Sequence, residues 1–126
     1  MTKPTFTKEY KAIEDVLLNH YSKGNIEADS SIPKPAFHEV AAMYSVDDNG
    51  DLAGEPVAES LFPAVDSFDK SENPLVAIAY IDIAGNAASA RVDSDNISGY
   101  GFSDYFNLLK VQGKWQIINK IFHSNY

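Results

Sequence analysis

Residues with an apolar side recur at helical spacing in two places along the chain. Tyr10, Ile13, Val16, Leu17, His20 and Tyr21 share one face of a helix that Thr7 can cap and that ends near Ser22, with Gly24 a natural stop just past Lys23. Val57, Leu61, Phe62, Val65 and Phe68 mark a second helix after Gly54 and Pro56. Pro63 inside it removes a backbone donor and is expected to kink or split it. Between the two, Pro33 and Pro35 punctuate short helical turns expected around 26–32 and 35–40.

The remaining pattern is that of strands. Met43, Tyr44 and Val46 lead into Asp48-Asn49-Gly50-Asp51, where Asn-Gly can accept positive φ at both positions of a hairpin turn. Residues 75–83 and 87–93 form a pair around Gly85-Asn86, and 94–99 a looser loop. Residues 100–111 and 114–123 then pair around Gln112-Gly113. Helices followed by antiparallel hairpins predict an α+β domain over residues 1–126, with no internal repeat or linker.

A two-residue turn at Gln112-Gly113 sets facing partners by counting outward. Val111 then faces Lys114, Lys110 faces Trp115, Leu108 meets Ile117 and Phe106 meets Asn119. Asp104 meets Ile121, and Phe102 meets His123. One face therefore carries Phe102, Asp104, Phe106, Leu108, Trp115, Ile117, Asn119, Ile121 and His123, and its apolar character directs it toward the helices. Lys120 falls on the opposite face, where a salt bridge across the outer sheet is expected. The other hairpin pairs Ile83 with Ala88, Ile81 with Ala90 and Ala79 with Val92 on its inner side. Tyr80 and Arg91 pair on its outer side, suited to solvent or a subunit interface. A bulge in either strand shifts these faces by one residue.

Composition narrows the function classes. With 44% hydrophobic and 12% aromatic residues the chain can build one core, and no apolar run approaches the about 18 residues that span a bilayer. The N-terminal segment lacks an apolar signal region, so a cytoplasmic location is expected. A net charge of −8, from 18 acidic and 10 basic residues, disfavours nucleic acid and anionic membranes as partners. The absence of cysteine removes disulfides, thiol nucleophiles and thiolate metal sites. No HxxxH or His-x-Asp pair, glycine-rich phosphate loop or Gly-x-Ser-x-Gly occurs, so neither metal nor cofactor is expected.

The stretches Tyr21 to Gly24, Ala36 to Glu39, Ile81 to Val92, Phe102 to Lys110 and Gly113 to Phe122, in this order and spacing, resemble the nuclear transport factor 2-like (cystatin-like) superfamily. Within it, the chain is similar to the SnoaL-like bacterial proteins and above all to those named for lumazine binding. The resemblance implies a cone-like, highly curved sheet of about six strands, mixed or antiparallel, wrapped around the N-terminal helices and a pocket. It also implies a homodimer packed through the outer sheet face. It brings no reaction, because this fold hosts enzymes, binders and scaffolds.

Three polar exceptions on the inner face, Asp104, Asn119 and His123, define the candidate chemistry. A carboxylate among apolar side chains keeps its proton to higher pH and can act as general acid or base. Asp104 is the candidate for that role, with His38 or His123 as proton partner and Asn119 to hold a carbonyl or enolate oxygen. Tyr21, Tyr44, Phe102, Phe106 and Trp115 are candidate pocket walls, Trp115 also being a core residue by its place after the turn. The expected function is binding of a small, partly apolar molecule. An acid–base isomerase, dehydratase or cyclase is the alternative, and a dimeric interaction scaffold a third.

Overall fold

The computed structural model describes residues 6–126. The first helix, α1 (Phe6–Asp15), continues without a break through a π-helical segment (Val16–Ser22) into α2 (Lys23–Glu27). Thr7 lies inside α1 rather than capping it, and the helix runs past Gly24 to end where Ala28 turns left-handed, at φ 56°. Gly24 is required for another reason: a Cβ there would lie 2.3 Å from Cδ of Pro33. A 3-10 turn (Lys34–Ala36) follows, and β1 (Phe37–Val46) begins where a helical turn was expected.

β2 (Leu52–Pro56) returns along β1 after a loop organised by Asp47, whose side chain accepts from the backbone N–H groups of Asn49 and Asp51. Only Gly50 in that loop takes positive φ, so the connection is an Asx-type loop and not the two-residue turn. The second predicted helix is α3 (Val57–Ser67), which passes through Pro63 as one helix with the proline on its exposed side. The meander is β3 (Leu75–Ala84), β4 (Ala87–Ile97), β5 (Tyr100–Val111) and β6 (Lys114–Ser124). The loop expected at 94–99 contracts to a tight turn at Ser98-Gly99, both at positive φ.

The six strands form one mixed sheet in the order β2-β1-β6-β5-β4-β3, with β1 parallel to β6 and every other pair antiparallel. Register shifts interrupt β1–β6, β3–β4, β4–β5 and β5–β6, and such irregularities bend strands and increase twist. The sheet curves without closing, and the helices pack on its inner face. Ile13, Leu17 and Tyr21 from the first helix meet Val57, Leu61 and Val65 of α3 and Ala90, Val92, Phe106, Leu108 and Ile117 of the sheet in one core. Among the described residues, no helix is long and apolar enough to cross a membrane.

The shift in β5–β6 changes which side chains face the core. Val111–Lys114, Lys110–Trp115 and Leu108–Ile117 pair as counted from the turn, but Asn107 then pairs with Asn119 and leaves Ile118 as the extra residue. Beyond it, Phe106 pairs with Lys120, Asp104 with Phe122 and Ser103 with His123. Asn119, Ile121 and His123 are thereby carried away from the core, and Lys120 and Phe122 are carried toward it. In β3–β4 a similar shift leaves Ala79 unpaired and sets Ile78 against Val92, while the pairs nearer the turn stand as expected.

Candidate functional site

Three buried polar side chains meet beneath the first helix. Lys120 Nζ donates to Oδ1 of Asp104 at 3.1 Å and to the Tyr21 hydroxyl at 3.0 Å. The Tyr21 hydroxyl in turn donates to Oδ2 of Asp104 at 3.0 Å. The three close a ring of hydrogen bonds in which Asp104 is 1%, Lys120 3% and Tyr21 3% exposed. Asn25, one helical turn beyond Tyr21, is buried as well. Tyr21 sits in the π-helical segment, and π-helical turns recur at functional sites because they redirect side chains out of the regular helical rows.

Electrostatics fix the protonation of this ring. Burial alone pushes the Lys120 ammonium down, but the Asp104 carboxylate and the Tyr21 hydroxyl outweigh it, and the net shift is upward. Burial first, and then the Asp104 charge, push the Tyr21 phenol up. Lys120 is therefore a cation and Tyr21 a neutral phenol at physiological pH. Asp104 compensates the cation directly, as a buried charge requires.

This ring borders a cavity of about 230 Å³ lined by Tyr21, Asn25, Met43, Leu61, Ala64, Phe68, Tyr100, Phe102, Lys120, Phe122 and Ser124. Its aromatic wall is continuous. Phe68 and Tyr100, Tyr100 and Phe102, and Phe102 and Phe122 have ring centroids 6.0, 5.9 and 6.3 Å apart. Lys120 Nζ lies 4.4 Å from the centroid of Phe122, so the ammonium meets the wall face-on. The polar groups are confined to the Tyr21–Asn25–Lys120 side and to Ser124.

Of the residues singled out by sequence, Tyr21, Asp104 and Phe102 come together here. The others do not join them. Asn119 faces outward, accepting from Asn107 at 2.8 Å, and exposed His123 pairs with Ser103 on the outer face, both because of the extra residue in β6. Tyr44 is 39% exposed and lies over Gly54 of β2, lining a shallow outer depression with Tyr105, Ile121 and His123. His38 stands on the irregular start of β1, where Nδ1 accepts from the backbone N–H of Val40, and it does not line the cavity. Phe106 is core, set edge-on to Tyr21 at 4.8 Å.

Trp115 belongs to a separate cluster at the other end of the sheet. Its indole N–H and the Lys110 ammonium both donate to Glu9 of α1, Lys110 at 2.7 Å. These contacts, the Lys110 hydrogen bond foremost, hold the Glu9 carboxyl below its ordinary value. They floor a second concavity of about 340 Å³ that Asp15 and His20 also border. Lys120 and Asn25 are the site residues that sequence reasoning missed. The signal for Lys120 was charge complementarity: only a bulged register brings it to Asp104.

Among proteins of known structure, the chain is similar to an NTF2-like protein of unknown function from Shewanella baltica, at 46% identity and a TM-score of 0.94 over 98% of this chain and 99% of that one. A second such protein, from Methylobacillus flagellatus, is 32% identical with a TM-score of 0.85, covering 98% and 97% of the two chains. A curated relative, the aldolase FrzH of a Cladobotryum species, is 29% identical over 128 residues, 98% of each chain. The family model described as putative lumazine-binding matches residues 8–123, and the chain belongs to that family.

Proposed function

We propose that this protein binds a small, flat, largely apolar molecule in the Tyr21–Lys120 cavity and seats an oxygen of that molecule on the Lys120 ammonium. One observation carries the reading: a lysine kept charged by buried partners stands at the edge of a largely apolar cavity. Asp104 and Tyr21 take two of its three donors, which leaves one N–H for a ligand. An ion pair that served stability alone could be replaced by apolar side chains at little cost, so its presence beside a cavity favours a role in recognition. At about 230 Å³ the cavity falls below the about 300 Å³ lower end of drug-sized pockets. It exceeds the about 150 Å³ that suffices for benzene. One ring or two fused rings is the size class.

The test is thermal unfolding with 1-tetralone, a fused-ring ketone. The midpoint of the wild-type protein rises with ligand concentration. Ala64→Phe fills the cavity without altering Lys120 and removes the rise. An equal rise in both proteins contradicts the reading. The outer face supports a homodimer as the working assembly, because Tyr44, Tyr80, Tyr105 and Ile121 are exposed there. Light scattering that finds a concentration-independent monomer overturns that part alone.

A second reading, acid–base catalysis, is favoured by the aldolase among the relatives. A carbonyl oxygen that takes an N–H of Lys120 is polarised, and the enolate formed on loss of an α-proton is stabilised by the same cation. As charge develops on the enolate oxygen, the ammonium turns a second N–H from Tyr21 to it, and the lone pair freed on Tyr21 can accept that α-proton as the phenol proton passes to Asp104. The two transfers move one proton each, and together they leave the enolate, a neutral Tyr21 and a protonated Asp104. The α-protons of 1-tetralone then exchange with deuterated solvent, and Tyr21→Phe, which leaves the Lys120–Asp104 pair in place, stops the exchange while the ketone still binds. Exchange at the uncatalysed rate in the wild type removes this second reading and leaves the first.

A further inference from the structure

Two concavities meet on the inner face of the sheet. Met43 and Phe122 wall the Tyr21–Lys120 cavity, and the same two side chains border an open groove of about 490 Å³ over β2 and the start of α3. Strand register aligns the charged group of that groove with the lysine. Lys120 pairs with Met43 across β6–β1, and Met43 pairs with Glu55 across β1–β2. Paired residues share a face, so Lys120, Met43 and Glu55 form one row over three strands. Two strand spacings, about 10 Å, separate its ends. An ammonium and a carboxylate thus stand at opposite ends of one continuous hollow.

The two ends differ in how they are satisfied. Lys120 is bonded to Asp104 and Tyr21, whereas the exposed Glu55 carboxylate has no hydrogen bond or ion pair among the described residues. No basic side chain lines the groove with it, and the Ser60 hydroxyl there donates to the Pro56 carbonyl instead. Building on the proposed ligand seat, we propose that the ligand carries a basic amine on an arm, and that Glu55 receives its ammonium. The ring lies in the cavity with its oxygen on Lys120, and the amine stands about 10 Å from that oxygen. Between them the arm passes Met43 and Phe122, a thioether and a ring against which methylene groups pack. Charge agrees beyond the single residue. Asp47, Asp48 and Asp51 in the β1–β2 loop and Glu59 on α3 give this end of the sheet a field that draws cations and repels anions.

The experiment is calorimetric titration of the full chain, at low salt, with 1-tetralone and three derivatives: 6-(2-aminoethoxy)-1-tetralone, 6-(2-hydroxyethoxy)-1-tetralone and 6-(carboxymethoxy)-1-tetralone. Ring and carbonyl are common to all, and the arms end in an ammonium, a hydroxyl and a carboxylate. The amine is expected to bind at least about threefold more tightly than the hydroxyl compound, the size of an ion pair still open to water. The carboxylate should bind more weakly than either. Glu55→Gln should bring the amine and the hydroxyl compound together, and Glu55→Lys should place the carboxylate ahead of the amine. A wild-type ratio near one, with the hydroxyl compound bound, overturns the amine requirement and leaves the ligand seat standing. A preference for the amine that survives Glu55→Gln, or an order unreversed in Glu55→Lys, reflects the charge of the whole chain and overturns the role of Glu55. Failure of the three derivatives while 1-tetralone binds overturns the arm alone. Failure of all four compounds overturns both proposals.

Discussion

Lys120 and Asp104 lie 3.1 Å apart across the β5–β6 pair, and neither reaches solvent. They are diagonal neighbours on the inner face, because Asp104 pairs with Phe122 and Phe106 with Lys120. Removing one partner strands the other charge in the core. Asp104→Leu or Lys120→Met alone is predicted to cost about 3–5 kcal/mol, and the double variant much less than the sum. Urea unfolding of the four proteins checks this, and additive losses would contradict the coupling.

Lys120 and Tyr21 together set an alkaline limit. Both Lys120 and Tyr21 have folded pKa values raised above their ordinary 10.5 and 10.0. A raised folded value contributes stability that is fully present below the ordinary one and is lost as pH rises through the folded value. Stability of the wild type should therefore decline above about pH 10. The double variant Lys120→Met/Asp104→Leu, with Tyr21→Phe added, should decline less steeply. Parallel profiles from pH 8 to 11 would speak against the ring as the source.

Glu9 sets the acid side. Its carboxyl is held below the ordinary 4.5 by Lys110 and then Trp115, so its contribution is present above that value and lost as pH falls through the folded one. Glu9→Gln keeps the shape and removes the charge. We expect a loss of about 1–3 kcal/mol at pH 7 that shrinks below pH 4. A loss of constant size across that range would mean that packing, not charge, is at stake.

Gly24 is predicted to be intolerant for a reason unrelated to helix ends. Gly24→Ala drives a methyl group onto Pro33, and the overpacking should cost about 1–3 kcal/mol in chemical unfolding. Unchanged stability would show that the 28–33 turn yields freely.

The turns were legible because their chemistry is local. Gln112-Gly113, both at positive φ, pins the pairs nearest to it, and the Ile81–Ala90 and Ile83–Ala88 pairs follow from the turn at Gly85 in the same way. The site was less legible because it lies past the irregularity. Past Ile118 the strand reads Asn119-Lys120-Ile121-Phe122-His123, two polar residues, two apolar and one polar, so either register mixes the two kinds inside: Asn119, Ile121 and His123 in one, Lys120 and Phe122 in the other. Periodicity cannot choose between them. The charge of Asp104 can, since only Lys120 neutralises it. His38 was misplaced for a similar reason, as nothing in Phe37-His38-Glu39-Val40 distinguishes a helical turn from the irregular start of a strand paired to β6.

The central claim is that the Lys120 ammonium, held charged by Asp104, seats a ligand oxygen. Calorimetric titration of 1-tetralone and of naphthalene against the wild type and Lys120→Met/Asp104→Leu tests it most directly. The account predicts that the double variant binds 1-tetralone at least about tenfold more weakly, as loss of a charge-assisted hydrogen bond implies, and binds naphthalene as before. Equal affinity of the two proteins for 1-tetralone would contradict it.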